Sequence, residues 1–225
     1  MLLEDNTPTD ITSFYNNTLQ LKGIKGEYIY EKVTQTGTFY EIEMLKYIQS
    51  LQLTNTVLDI GANIGNHTLF FASQCNFSNV IAVEPYMPIY NILEENIRLN
   101  KIVEKVELHF NAIDNIDGRE VCIEPATTEN LGKTKVKEGR GIPTVTIDKI
   151  AERRKVDLIK IDVEGYELKA LEGAVHTLTN QKPVLFVEAY SSKEKDPIDA
   201  FLKPFGYSSK KVFGITSTYE YRYTT

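Results

Sequence analysis

The stretch "LIKIDVEG" sets Lys160, Asp162 and Glu164 at alternate positions. In an extended strand residues two apart share a face, so these side chains stand on one side while Ile159, Ile161 and Val163 take the other. A lysine beside carboxylates forms a paired cluster, and pairing shifts pKa values toward a range useful for handling a proton. Asp162 is therefore the candidate base, or the anchor of an acceptor hydroxyl, with Glu164 and Lys160 shaping its site. The plainer alternative has Glu164 and Gly165 capping the next helix and Lys160 neutralising buried charge. Glu188 ends the later apolar run "PVLFVEA" and can face Asp162 from a neighbouring strand. Two such carboxylates offer the oxygen ligands that magnesium takes. With no third ligand in view, a metal is not expected, and Asp162 and Glu188 are the pair that would hold one.

A second constellation lies at "VLDIGANIG". Gly61 and Gly65 remove side chains where a ligand or a neighbouring backbone must come close, and Asn63 is among the few other residues that tolerate a left-handed backbone. The spacing is G-x-N-x-G, not the G-x-G-x-x-G of dinucleotide sites, which favours a ligand without a diphosphate. Asp59, at the end of the strand, would repel phosphate but accept hydrogen bonds from an amino-acid ammonium group. Glu84, before Pro85 in "VIAVEP", can accept two ribose hydroxyls. A nucleoside carrying an amino acid satisfies both acids, and S-adenosylmethionine (SAM) is such a molecule. A tight turn beside a solvated carboxylate explains the glycines alone, but not three features in register.

The elements that must position these residues alternate. "TVLDIGA", "NVIAVEP", "KVELHFNAI", "VDLIKIDVEG" and "KPVLFVEAY" read as strands, and Asn66–Ser73, "PIYNILEENIRLN" and "YELKALEGAVHTL" as helices, the last broken near Gly173. Such alternation predicts a parallel sheet with helices on both faces. "DPIDAFLKPFGY" reads as a short helix, and "SSKKVFG" with "STYEYRYTT" as a C-terminal hairpin. Residues 1–50 read as an irregular arm with a short strand at "GEYIYE", ending in the amphipathic helix of "TFYEIEMLKYIQSLQL", which packs on a main domain over residues 51–225. "GREVCIEP" reads as an extra strand and "ATTENLGKTKVKEGRGIP" as a mobile surface loop. Lys133, Lys135, Lys137 and Arg140 in that loop read as a solvated charge run.

With 225 residues, 42% of them hydrophobic, the chain has enough length for one α/β domain with a sizeable core. A net charge of -6 gives no global pull toward nucleic acid or anionic membranes. Cys75 and Cys122 stand apart without metal-ligand spacing, as core thiols in a reducing compartment do. No apolar stretch reaches the roughly 20 residues of a membrane span, and "MLLEDNTPTD" lacks the pattern of a secretory signal. A cytoplasmic protein without a nucleic-acid partner or a membrane span is the expectation.

The blocks "VLDIGANIGNHTLFFA", "VIAVEP", "LEENIRLN", "VDLIKIDVEGYELKALEGA" and "PVLFVEA" resemble the FkbM family of class I SAM-dependent methyltransferases. The resemblance implies a doubly wound α/β fold, a Rossmann-like sheet of seven strands in the order 3-2-1-4-5-7-6 with the last antiparallel. It also implies SAM as cofactor, held by Asp59, Gly61, Asn63, Gly65, Glu84 and Pro85, with Asp162 beside it. Where many class I enzymes bind the adenine amino group with an acid, this chain has Ala112, which leaves that contact to Asn111 or the backbone near Ile113. His67 matches a residue often seen after the glycine loop, with capping or packing as its expected role, and Tyr40 and Glu41 match a block that can close over the pocket. The family's known members mostly methylate hydroxyl oxygens on sugars, lipooligosaccharides or polyketide-type products, so a small-molecule or glycan acceptor is expected. An N-methyltransferase lacks its usual Asn/Asp-Pro-Pro-Tyr motif here, a dehydrogenase its glycine pattern, and a silent SAM-binding domain would not need Asp162. Neither the acceptor nor the oligomeric state can be named from sequence.

Overall fold

The structure, a computed structural model, describes residues 8–124, 134–214 and 216–224. In chain order the elements begin with strands β1 (Thr9–Phe14) and β2 (Leu19–Ile24), then helices α1 (Tyr28–Thr36) and α2 (Ile42–Ser50). The first half of the sheet follows: β3 (Thr56–Ile60), α3 (Asn66–Gln74), β4 (Asn79–Val83), α4 (Met87–Leu99) and β5 (Val106–His109). An inserted region holds β6 (Ala112–Ile113), β7 (Glu120–Glu124), β8 (Lys135–Glu138) and β9 (Ile142–Val145). The second half comprises α5 (Ile147–Ala151), β10 (Val156–Ile161), α6 (Glu167–Glu172), α7 (Val175–Asn180), β11 (Val184–Glu188), α8 (Ser192–Leu202), β12 (Tyr207–Phe213) and β13 (Thr218–Tyr223).

Seven strands form one sheet in the order β5-β4-β3-β10-β11-β13-β12. Numbered within that sheet, the order is 3-2-1-4-5-7-6, as the family resemblance implies. The inner strands pair in parallel, and β13 runs antiparallel to both β11 and β12. Central strands of such a sheet are buried on both faces, which explains why "TVLDI" is buried throughout. Val57 joins a core with Leu69, Phe70 and Leu93 from α3 and α4, while Leu58 and Ile60 join a second core with Ile150, Leu171 and Leu178. Asp59 alternates with Leu58 and Ile60 and turns to the first side, where the Thr68 hydroxyl and the Lys160 ammonium meet it.

Three expectations are corrected. The N-terminal arm is an antiparallel hairpin, with Phe14 opposite Leu19, whose Leu19, Leu21 and Ile24 are buried in the first core. The "GEYIYE" segment is the start of α1, not a strand: the Glu27 side chain accepts from the Tyr30 amide at the N-cap, and Gly37 closes the helix at φ +66. "KVELHFNAI" breaks in two, because Ala112–Ile113 leaves the main sheet to pair with β9 in a four-stranded sheet. β8 and β9 also occupy part of the segment read as a loop, of which residues 126–133, including Lys133, lie outside the described residues. No helix among the described residues is long and apolar enough to cross a membrane.

Candidate active site

Parallel register builds the site. Ile60, Val83, Ile161 and Val187 lie level across four neighbouring strands. The next residue on each strand is therefore Gly61, Glu84, Asp162 or Glu188, and three of these four strand ends carry an acid. Open α/β sheets bind ligands at this edge. A cavity of about 340 Å³ opens there, walled by Gly61, Asn63, Glu84, Lys160, Asp162 and Glu188 among others.

The glycine turn is a product of close packing. Gly61 (φ +77), Asn63 (φ +51) and Gly65 (φ +90) are all left-handed. A Cβ on Gly61 would sit 1.8 Å from the Asp162 carbonyl oxygen, and one on Gly65 would sit 2.7 Å from Leu93 Cδ1. Neighbouring protein, not a ligand, excludes both side chains. The left-handed Asn63 turns its amide toward Glu84 Oε2 (3.0 Å), while the Tyr86 amide reaches Oε1 (2.9 Å). Burial pushes the Glu84 carboxyl up to about 7 against the pull of those two amides. Each oxygen keeps a lone pair for a further donor.

Lys160 lies opposite Asp59 in the β10–β3 register and is 4% exposed. Its Nζ stands 3.4 Å from Asp59 Oδ1 and 3.4 Å from Asp162 Oδ2, and donates to the Gly61 carbonyl at 3.0 Å. Burial disfavours the ammonium, but the charges of Asp162 and Asp59 outweigh it and hold the pKa above the ordinary lysine value. Asp59 is fully buried and accepts the Thr68 hydroxyl at 2.6 Å. It stands behind the cavity wall and works through Lys160, an arrangement that differs from the direct ammonium contact expected of it.

Asp162 and Glu188 divide a charge. Burial alone would raise Asp162, yet Lys160, a hydrogen bond shared with Glu188 and the nearby His67 bring it below its ordinary range. Glu188 goes the other way: burial, then the charge of Asp162, drive its pKa far up. Glu164 follows β10 with φ +50, and the Tyr190 hydroxyl donates to its Oε1 at 3.1 Å. One oxygen each from Asp162, Glu164 and Glu188 lie within 4.8 Å of one another. The loop is locked by Glu167, which accepts from the Val163 and Gly165 amides, the task that the plainer alternative gave to Glu164 and Gly165.

The opposite wall comes from the N-terminal elements. Asn66 exchanges two 3.1 Å hydrogen bonds with the Tyr40 backbone, and His67 Nε2 lies 3.2 Å from Glu41 Oε2. Tyr28, Tyr40, Glu41 and His67 all line the cavity, as do Pro85, Asn111 and Ile113. Ala112 and Gly65 lie behind the wall, both buried. Tyr28 and Tyr190 were not anticipated from sequence. Tyr190 had a signal, its place two residues past Glu188 at a strand end, whereas Tyr28 was hidden by reading its helix as a strand.

Residues 59–209 match the family model described as the methyltransferase FkbM domain. Among curated proteins, the chain is 27% identical over 161 residues to the hexuronic acid methyltransferase AglP of Haloferax volcanii, covering 69% of this chain and 64% of that protein. It is 24% identical over 206 residues to the methyltransferase sdnD of Sordaria araneosa, covering 75% and 76%. Among solved structures, a methyltransferase FkbM from Methylobacillus flagellatus KT matches with a TM-score of 0.60 and 20% identity, over 88% of this chain and 50% of that one. The TYW2 of M. jannaschii in complex with AdoMet matches with a TM-score of 0.51 and 16% identity, over all of this chain and 90% of that one. The chain thus spans about two thirds of AglP and half of the Methylobacillus protein.

Proposed function

Because the chain belongs to the methyltransferase FkbM family, we propose that it transfers a methyl group from SAM to a hydroxyl oxygen of a sugar, glycan or natural-product acceptor. The observation that carries this reading is that one cavity joins Glu84, with lone pairs to spare, to an Asp162 kept ionised by a buried lysine. The cavity volume is of the size that holds a small organic ligand. Glu84 suits a pair of ribose hydroxyls, Asn111 and Ile113 flank the position of an adenine, and Pro85 borders the same region. When bound, SAM supplies an electrophilic methyl group on a sulfonium. Glu84 then orients the nucleoside, and the acidic wall of Glu41, Glu84, Asp162, Glu164 and Glu188 favours a cationic sulfonium over its neutral product.

For Asp162 the electrostatics favour anchoring over strong basicity. A carboxylate paired with Lys160 is a good acceptor for a hydroxyl hydrogen bond and a weak base, so it aligns the acceptor oxygen for in-line displacement. As the new C–O bond forms and the C–S bond breaks, the hydroxyl proton passes to the Asp162–Glu188 pair. AglP, described as acting on hexuronic acid, makes uronic-acid sugars the first acceptors to try. The neighbour TYW2 shares only the fold at its identity, and the net charge of -6 supports a non-nucleic-acid acceptor.

Calorimetric titration with SAM, S-adenosylhomocysteine and NAD tests the cofactor, and mass spectrometry of reactions with glucuronate-bearing sugars tests the acceptor. The expected result is binding of both adenosyl ligands, no binding of NAD, and a product heavier by one methyl group. Binding of NAD, or of no adenosyl ligand, would overturn the reading.

A further inference from the structure

The Asp162, Glu164 and Glu188 cluster has a feature that methyl transfer alone does not explain. Glu188 is 5% exposed and lines the cavity, yet its Oε2 has no hydrogen-bond donor among the described residues. The Thr216 side chain reaches the Glu188 carboxyl, but its other close partner is a second carboxyl, Asp162, and two carboxyls in contact need a proton or a cation between them. A buried carboxyl oxygen without a donor, such as Oε2, costs folding free energy unless a ligand fills the place. Lys160 does not fill it, since its three protons are directed at the Gly61 carbonyl, Asp59 and Asp162.

We propose that Asp162, Glu164 and Glu188 form a divalent-cation site, of the magnesium or manganese class, whose open positions take adjacent oxygens of the acceptor. The three ligand oxygens fall within 4.8 Å of one another, close to the roughly 4–5 Å between opposite oxygens around one hard cation. All three donors are oxygen, the ligand type that such cations select. The supports expected around a metal site are also present. The Tyr190 hydroxyl orients Glu164 at 3.1 Å, and the Lys160 ammonium holds Asp162. Each carboxylate gives one oxygen to the cation and keeps the other for these partners.

Charge supports the assignment. Five carboxylates and only Lys160 and His67 as basic groups line the cavity, a surface that repels an anionic sugar. A divalent cation reverses that local field and can bridge to a uronic-acid carboxylate and its neighbouring hydroxyl. The inference thus rests on the proposed acceptor chemistry and specifies which acceptors fit: those with two oxygens placed to chelate. A lone hydroxyl gains less from the cation.

The test uses Mn²⁺ as the probe, by electron paramagnetic resonance on the full chain after EDTA treatment and desalting. Saturable binding of about one Mn²⁺ per chain is expected, displaced by Mg²⁺ and weakened at least roughly tenfold in both Glu188→Gln and Glu164→Gln. Glu164 is partly exposed, so its variant keeps the test valid if the buried substitution harms folding. SAM affinity in EDTA, measured calorimetrically, should fall by no more than a few fold in Glu164→Gln, since four other carboxyls of the acidic wall remain. Absence of saturable Mn²⁺ binding, or binding retained in both variants, overturns the cation site. Full turnover in EDTA also overturns it and leaves methyl transfer standing, whereas loss of SAM binding in the wild type would remove the reading beneath it.

Discussion

Two buried acids stand at the ends of strands on opposite sides of the cavity, and the protein treats them differently. Glu84 follows β4 and receives two backbone amides, from Asn63 and Tyr86. Glu188 is the last residue of β11 and meets another carboxyl, with one oxygen lacking a donor among the described residues. Both are pushed up by burial, Glu84 to about 7 and Glu188 much further. The contrast separates a finished hydrogen-bonding post from a place built to be completed. Backbone amides fix Glu84 in the orientation that the proposed nucleoside contact needs, while Glu188 is left to a proton, or to the proposed cation.

That division is broken most strongly from the second side. Asp162→Asn keeps the shape but removes the ionised acceptor, and turnover should fall by about 10²–10⁴-fold. SAM affinity, read by calorimetry on the same preparation, should change by no more than a few fold. Retained turnover would show that the Glu188 side is not where the acceptor is handled. Lys160→Met should affect both sides at once, because the lysine supports Asp59, Gly61 and Asp162 together. Removing one partner of a buried ion pair costs about 3–5 kcal/mol, and denaturant unfolding should show a loss of that order. A loss under about 1 kcal/mol would mean that Asp59 is not held as an ion. Glu84→Ala is the next in size, expected to weaken SAM by about 100-fold through two charge-assisted hydrogen bonds. It also strands the Asn63 and Tyr86 amides, so Glu84→Gln, which retains one acceptor, should lose roughly tenfold.

The two sides also differ in how far they could be read from sequence. Gly61 and Asn63 occupy a short local pattern in which a turn joins β3 to α3, and Glu84 directly follows the next apolar run, so period and turn chemistry bring all three to one edge of the sheet. The alternation of strands and helices was legible for the same reason, since each βα unit carries its own apolar run, whereas the strand order came from the family resemblance. The partners of Lys160 were not, because they depend on register: Asp59 is 101 positions earlier and meets Lys160 only through pairing of β10 with β3. Asp59 therefore looked like a ligand contact when it is a buried counter-ion. The third carboxylate of the cation cluster was visible as Glu164, but its approach to Glu188 depends on a left-handed backbone after β10 that strand alternation does not foresee. The N-terminal hairpin and α1 were misread despite local signals, the alternation of "LQLKGI" and the Gly37 stop. The Glu27 cap that settles α1 has its carboxylate buried, a tertiary feature that local spacing does not show.

The smallest expected effect separates the two acids by pH. A carboxyl whose folded pKa lies above its unfolded value of 4.5 holds a proton in the native state that the unfolded chain has released, so stability falls as pH rises between the two values. For Glu84 that fall runs from about 4.5 to about 7 and then stops. For Glu188 it continues beyond pH 8, because its folded pKa is driven further up. Asp162 has the opposite sign, being lowered, and its contribution is lost only as pH drops below the ordinary aspartate value of 3.8. Thermal melts in EDTA at pH 5.5, 7 and 8.5 should therefore show a Tm that declines by a few degrees across each step. Glu84→Gln should flatten the first step alone, and Glu188→Gln both. Equal flattening of the second step by the two variants would mean that the acids share one environment, and that the contrast between a finished post and an unfilled one does not hold. SAM binding should move the other way at the Glu84 side, strengthening from pH 6 to pH 8 as the carboxyl loses its proton and regains its full capacity to accept.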